Sequence, residues 1–271
     1  MPIEREELLN QARREREALG RTIQYARAER LELPSPCPGW RNRDVLAHLA
    51  SDDATAAALL AGEPTTELDE FRAAGGDWDD YNNLAVARRA ELPFRQVVAD
   101  WGHAADQVLV RAAKIPPEEW GDMRVDWFGD DIPISELIQS RISEWWLHGE
   151  HVRAGVDLAP RIEHWPIHLS NDLSIRRLPV LLESTGRTYF GKSARVYLGG
   201  AGGGTWYQAL APGEIAWRGG ADVLMEGNAH AFALMAGGAV SPDALLDSGD
   251  LVVSGDDEIG IDILENIRPW L

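Results

Sequence analysis

Glu144 and His148 stand four residues apart in a segment, Pro133 to Ala154, that reads as one long helix. At 100° per residue, Ile134, Leu137, Ile138, Arg141, Glu144, Trp145, His148 and Val152 share one broad face. An ionised carboxylate on an apolar stripe is costly unless it is paired or coordinates a metal. The i,i+4 spacing lets one carboxylate oxygen and one imidazole nitrogen meet a single cation, although the same spacing also serves a plain helix hydrogen bond or a solvated face. A third ligand is available from a second helix, where His48 lies beside the Val45, Leu49, Ala56 stripe and Asp52 follows one turn later. Two histidines and a carboxylate from facing helices leave coordination positions open for water or substrate, the arrangement of catalytic rather than structural ions. Zn²⁺ suits these ligands, and Ni²⁺, Co²⁺, Fe²⁺ and Mn²⁺ are compatible with them. Asp52 is placed to accept an imidazole N–H. Arg141, one turn before Glu144, is expected either to hold a substrate carboxylate in catalysis or to pair with Glu144, the pairing being favoured.

Other chemically suggestive residues have plainer readings. Glu150 and His151 are expected on the exposed side of their helix, and His103, His164, His168 and His230 as surface or structural histidines. Cys37, between two prolines, reads as a packed loop residue with no adjacent base to activate it. The glycine run from Gly199 to Gly204 lacks the Lys-Ser/Thr ending of a phosphate loop and joins two strand-like runs, so a hairpin turn is expected. The acidic stretch Ser254 to Glu258 fits a helix cap, and no G-x-S-x-G elbow occurs.

The elements that must position these residues follow from periodicity. An amphipathic helix is expected over 3–30, a second over 42–60, a third from Tyr81 to Ala113 split at Pro93, and a fourth from Pro133 to Ala154, with 118–132 irregular. Four long helices with an inner face predict a bundle. From about Trp165 the texture changes, marking a domain boundary. A helix over 169–183 precedes strand-like runs at 193–198, 205–210 and 214–217, read as an antiparallel meander. Helices near 221–235 and 242–246, a strand at 251–253 and a helix over 257–266 complete an α+β domain.

At 271 residues the chain is long enough for one large or two modest domains, and 45% hydrophobic with 26% charged residues is ordinary globular composition. The formal charge of −18 disfavours nucleic-acid partners. A single cysteine excludes intrachain disulfides and cysteine-cluster metal sites. No apolar run approaches the ~20 residues of a membrane span, and the charged N-terminal residues lack a signal-peptide pattern, so a cytoplasmic location is expected.

Three local stretches then occur in order: Pro36-Cys37-Pro38-Gly39-Trp40, Arg43 to His48 (Arg-Asp-Val-Leu-Ala-His), and Glu144 to Gly149 (Glu-x-x-x-His-Gly). In these the chain resembles the DinB-like metalloproteins of the mycothiol-dependent maleylpyruvate isomerase family. The resemblance implies a DinB-like four-helix bundle over 1–160 and a sterol-carrier-protein-like α+β domain over 165–271. It implies a divalent metal, usually zinc, on His48, Glu144 and His148; Asp52, from its place one turn after His48, and His151, from its place next to these ligands, are expected behind them. It also implies a low-molecular-weight thiol, mycothiol, as cosubstrate for isomerising maleylpyruvate to fumarylpyruvate, or for S-transfer in some relatives. The chain departs from the family pattern twice. His151 stands where an aspartate is usual, and Gly237-Gly238 stands where a Gly-Arg pair often closes a C-terminal helix. The leading expectation is a metal-dependent, thiol-using isomerase or transferase acting on a small electrophile. Its rivals are a non-catalytic, metal-containing small-ligand-binding protein and a metal-free interaction domain.

Overall fold

In the computed structural model, which describes residues 3–74, 78–216 and 220–268, the chain divides into two units, Met1–Arg161 and Ile162–Leu271. The first contains α1 (Arg5–Tyr25), α2 (Ala28–Leu31), α3 (Asn42–Ala61), α4 (Thr66–Ala74), α5 (Trp78–Arg89), α6 (Phe94–Lys114), the hairpin β1 (Arg124–Trp127) and β2 (Asp130–Pro133), and α7 (Ile134–Gly155). The four long helices close a ring of neighbours, with α1 against α6 and α7, and α3 against the same two. α1 and α6 each bury one stripe, Leu8, Leu9, Ala12, Leu19 and Ile23 on one and Val97, Trp101, Ala105, Val108 and Ala112 on the other. α3 and α7 are buried on nearly every side, because α5 also covers α3 and the hairpin packs on both. A polar side chain on either helix therefore has to find its partner inside the protein.

Several local expectations change. The helix expected over 3–30 breaks at Ala26 and Arg27, both extended, into α1 and α2. The Gly- and Asp-rich approach to Tyr81 contains α4, and α5 and α6 are separated at Pro93, which caps α6. Residues 118–132, expected to be irregular, include the hairpin, which turns through Phe128 (φ 53°) and Gly129 (φ 99°), the two positive φ values of a primed turn.

α3 starts where the Asp44 carboxylate accepts the Arg41 N–H at 2.9 Å, and it stops at Gly62, left-handed at φ 66°. Asn42 at its start donates to the carbonyls of Arg30 and Leu33 and lies against Gly155 at the end of α7. A Cβ on Gly155 would come within 2.1 Å of the Asn42 side chain, so the glycine lets loop 33–41 close onto α7.

The second unit contains α8 (His164–Ser184), β3 (Ser193–Gly199), β4 (Gly204–Ala209), β5 (Val223–Asn228), α9 (Ala229–Ala236), α10 (Pro242–Ser248), β6 (Leu251–Gly255) and α11 (Asp257–Asn266). The expected antiparallel meander is replaced by a mixed sheet of order β4-β3-β5-β6, in which β3 and β5 are parallel. Glu214 to Ala216 lie outside any strand, and Trp217 lies outside the described residues. The helix expected over 221–235 is β5 running directly into α9. Val223 and Met225 point inward while Leu224 and Glu226 are exposed, a period of two, and Asn228 ends the strand while its side chain caps α9. The glycine run is the β3–β4 turn. Gly202, at φ 78°, presses on Ile167, which a Cβ would approach to 2.5 Å, and its N–H donates to His164 Nδ1. Asp256 caps α11 by accepting the Ile259 N–H. Among the described residues no helix is long and apolar enough to cross a membrane.

Candidate metal centre

His48 from α3 meets Glu144 and His148 from α7. His48 Nε2 lies 3.4 Å and His148 Nε2 3.2 Å from the same oxygen, Glu144 Oε2, and the two rings meet edge to face at 5.0 Å. One donor atom from each residue lies within 4.8 Å of the others, and all three residues are buried. Ligand atoms about 2.0–2.1 Å from a tetrahedral ion sit roughly 3.3 Å apart, which is the spacing of these pairs.

Asp52 reaches toward His48 Nε2 at 3.7 Å with the same oxygen that faces Arg141 Nη1 at 3.5 Å. Arg141, favoured to pair with Glu144, makes its ion pairs with Asp52 and Asp53, the latter at 3.4 Å, feels Glu144 only through its charge, and stacks its guanidinium over the Trp127 ring. The correction has a simple cause: Arg141 and Glu144 share a helix face, but the facing helix supplies two carboxylates one turn beyond His48. Asp53, one turn after Leu49 on the apolar stripe of α3 and not among the candidate residues above, is fully buried and accepts the Trp145 indole N–H at 2.8 Å.

The site is short of positive charge. Asp52, Asp53 and Glu144 surround the single guanidinium of Arg141, and burial pushes the Asp53 carboxyl up to about 7 although Arg141 and Trp145 oppose it. Burial also works against the Glu144 carboxylate, yet hydrogen bonds from His148 and His48 hold its pKa well below the usual range. For the histidines, burial alone lowers the pKa. At His48 the charges of Asp52 and Glu144 outweigh it and leave the pKa raised, whereas at His148 burial wins and the pKa is lowered. A neutral His148 beside an ionised Glu144 is the protonation state in which such groups ligate a cation, whereas at His48 a cation would displace the proton that the neighbouring carboxylates favour. A divalent ion here would also offset the buried negative charge, so donor set, spacing and charge fit such an ion.

The structure overturns the reading of two neighbours. His151 and Glu150, expected to be exposed, are buried, His151 to 6% exposure. Cys37, expected to have no base nearby, has its Sγ 3.1 Å from His151 Nδ1, and His151 Nδ1 is in turn 3.2 Å from His148 Nδ1. Loop 33–41 delivers the thiol there. Ser35 Oγ accepts the Cys37 N–H, the Trp40 N–H donates to the Cys37 carbonyl, and the loop packs on Val152 and Val156 of the α7 end. Burial pushes the Cys37 thiol up to about 11 and His151 down to about 3, so this pair is a neutral thiol beside a neutral imidazole, not an activated nucleophile.

Fold and site together define a two-unit protein whose helical half encloses a His-Glu-His donor set of the kind that holds a divalent cation. The sequence model of the mycothiol maleylpyruvate isomerase N-terminal domain matches residues 12–153, a little over half of the chain, and the chain belongs to that family. Two curated relatives, both uncharacterized proteins of Mycobacterium tuberculosis (strains CDC 1551 / Oshkosh and ATCC 25618 / H37Rv), are each 24% identical over 138 residues, 51% of this chain and 51% of the relative. The chain thus matches about half the length of those relatives. The crystal structure of the mycothiol-dependent maleylpyruvate isomerase superposes at TM-score 0.62 with 16% identity, covering 93% of each chain. That of a mutant of the enzyme superposes at 0.62 with 15% identity over the same shares. At such identities the likeness carries the fold alone.

Proposed function

We propose that this chain is a divalent-metal-dependent enzyme that uses a low-molecular-weight thiol of the mycothiol type to isomerise, or transfer sulfur to, a small electrophile such as maleylpyruvate. The convergence of His48 Nε2, Glu144 Oε2 and His148 Nε2 inside the family-matched unit carries this reading. The ring of α1, α3, α6 and α7 supports a DinB-like four-helix bundle, and the mixed sheet with its helices supports a sterol-carrier-like second domain.

His48, Glu144 and His148 would hold the ion, zinc being the best suited by ligand type. When bound, the ion lowers the pKa of a coordinating thiol so that thiolate is present at neutral pH. Arg141, tied to Asp52 and Asp53, would hold the Asp52 carboxylate close to the ion, because Asp52 faces His48 Nε2, the ligating nitrogen, and not Nδ1, where an imidazole N–H would be available to it. In isomerisation the cosubstrate sulfur adds to an activated cis double bond, the resulting single bond rotates, and elimination returns the thiol with the trans product. In S-transfer the sulfur displaces a leaving group. A second reading, a non-catalytic metal-containing protein that binds a small ligand, draws on Gly237-Gly238, which supplies no cation where the family often has arginine.

Elemental analysis of the purified chain tests the first step. About one equivalent of transition metal per chain is expected, lost in both His48→Ala and His148→Ala. Metal-dependent turnover of maleylpyruvate or a generic electrophile with a small thiol tests the second. Chelation that abolishes turnover while barely moving the melting temperature supports the enzyme. A metal-loaded chain inactive with every small thiol, and strongly destabilised by chelation, supports the binding protein.

A further inference from the structure

The His148 ring has two working edges. Its Nε2 faces Glu144 and His48, while its Nδ1 faces His151 Nδ1 at 3.2 Å, and His151 Nδ1 faces Cys37 Sγ at 3.1 Å. One donor atom from each of Cys37, His148 and His151 lies within 4.8 Å of the other two. A ring nitrogen carries either one hydrogen or one lone pair, so His151 Nδ1 can satisfy one of its two neighbours with a well-aligned hydrogen bond but not both. A cation among the three atoms accepts a lone pair from each at once.

We infer that Cys37, His151 and the Nδ1 edge of His148 form a second cation seat, selective for thiophilic ions softer than Zn²⁺, such as Cd²⁺ or Cu⁺. The donors differ in kind from the first set: sulfur and two nitrogens in place of two nitrogens and a carboxylate oxygen, and thiolate selects softer ions. Burial of both histidines and the anchoring of Cys37 by Ser35 make the geometry preformed. Binding releases the Cys37 proton to solvent and forms one sulfur–metal and two nitrogen–metal bonds with no change of oxidation state. The seat borrows His148 from the proposed catalytic set, and a neutral imidazole has one lone pair, so the two seats compete for a single ion. A harder ion takes the His48, Glu144, His148 set, and a thiophilic ion takes the sulfur set. His151 is the residue that makes this possible, since a shorter carboxylate there would supply an oxygen in place of the second nitrogen.

Cadmium titration of the full chain, followed by the thiolate-to-cadmium charge-transfer absorption, tests the seat. The band is expected to grow to saturation at about one equivalent in the wild type and in His48→Ala, which keeps the sulfur set. It is expected to be lost in Cys37→Ser and in His151→Ala titrated to the same concentration. Circular dichroism checks the fold of each variant, and His151→Ala, which leaves the thiol in place, serves if Cys37→Ser does not fold. Absence of the band at saturating cadmium in both the wild type and His48→Ala overturns the inference, as does an undiminished band in His151→Ala. Manganese binding to Cys37→Ser keeps the two proposals apart. Manganese bound there with no cadmium band in the wild type leaves the proposed function standing and removes the sulfur seat, and the converse pattern does the reverse.

Discussion

Inside the N-terminal unit, α3 and α7 bury Asp52, Asp53, Arg141, Glu144 and the histidines at 48, 148 and 151 against one another. The buried polar side chains described in the C-terminal unit are Ser170, Asn171, Ser174, Ser193 and Asp262. There, Ser170 and Ser174 donate to carbonyls one turn back in α8, and Asn171 donates to the Ala229 carbonyl. Asp262 sits at the margin, held by Tyr189 and Arg187. Replacing buried ion networks by apolar residues is often neutral or stabilising, so stability alone does not account for the charges between α3 and α7. The contrast separates a unit with a network of buried charges between two helices from one whose buried polar groups are mostly neutral and satisfied by backbone.

The largest expected effects break each interior in its own way. Arg141→Ala strands Asp52 and Asp53 without their guanidinium and is expected to cost about 3–5 kcal/mol in urea denaturation. Phe232→Ala, which empties part of the C-terminal core, is expected to cost a similar ~3–5 kcal/mol through a cavity. The two differ in pH response. Asp53 titrates near 7 in the intact protein, and loss of Arg141 raises it further, so lowering the pH from about 8 to 6 protonates the stranded carboxyl and narrows the deficit. The Phe232→Ala deficit should not move with pH. Parallel pH profiles for the two variants would erase the distinction between the interiors.

What could be read ahead of the structure follows the same division. The long 3.6-residue periodicities of α3, α6 and α7 locate those helices closely, and His48, Glu144 and His148 are visible because two of them share a helix face and the third sits on a second inward stripe. Periodicity shows which way a residue points along its own helix, not what faces it. The partners of Arg141 on α3 were therefore misread, and Cys37, 114 residues from His151, was passed over. Asp53 was legible by the same reasoning as Glu144, since it follows Leu49 by one turn and precedes Ala56 by three residues on the inward stripe, where an aspartate has to find a buried partner. In the C-terminal unit β5 was absorbed into the helix after it. Its six residues alternate too briefly to stand out, and the strand that stabilises it, β3, is distant in sequence.

A smaller effect sharpens the comparison within the N-terminal unit. Glu150 accepts the Arg161 N–H with both oxygens, yet burial pushes its pKa up to about 7 from the ordinary 4.5. Between those values the folded chain keeps a proton that the unfolded chain has lost, so stability falls as pH rises from 4.5 through 7 and is level above that. Glu150→Gln keeps an acceptor for Arg161 and removes the charge. Its melting temperature should match the wild type near pH 4.5 and exceed it by a few degrees near pH 8. Equal melting temperatures at both pH values would show that this carboxylate is paid for by its partners.

The smallest effect is expected at Asp262, the one buried titratable group described in the C-terminal unit. Its partner Arg187 has a side chain 38% exposed, so water and salt screen the pair, and such pairs contribute about 0–1 kcal/mol. Asp262→Asn leaves an oxygen to accept the Tyr189 hydroxyl and should cost less than about 1 kcal/mol, shrinking further in high salt. Denaturation of this variant beside Arg141→Ala gives the comparison its sharpest form, because each removes one charge, Arg141 from two buried pairs and Asp262 from a pair whose partner is 38% exposed. A loss at Asp262 as large as that at Arg141 would mean that the C-terminal unit also depends on buried charge, and the division between the two interiors would fail.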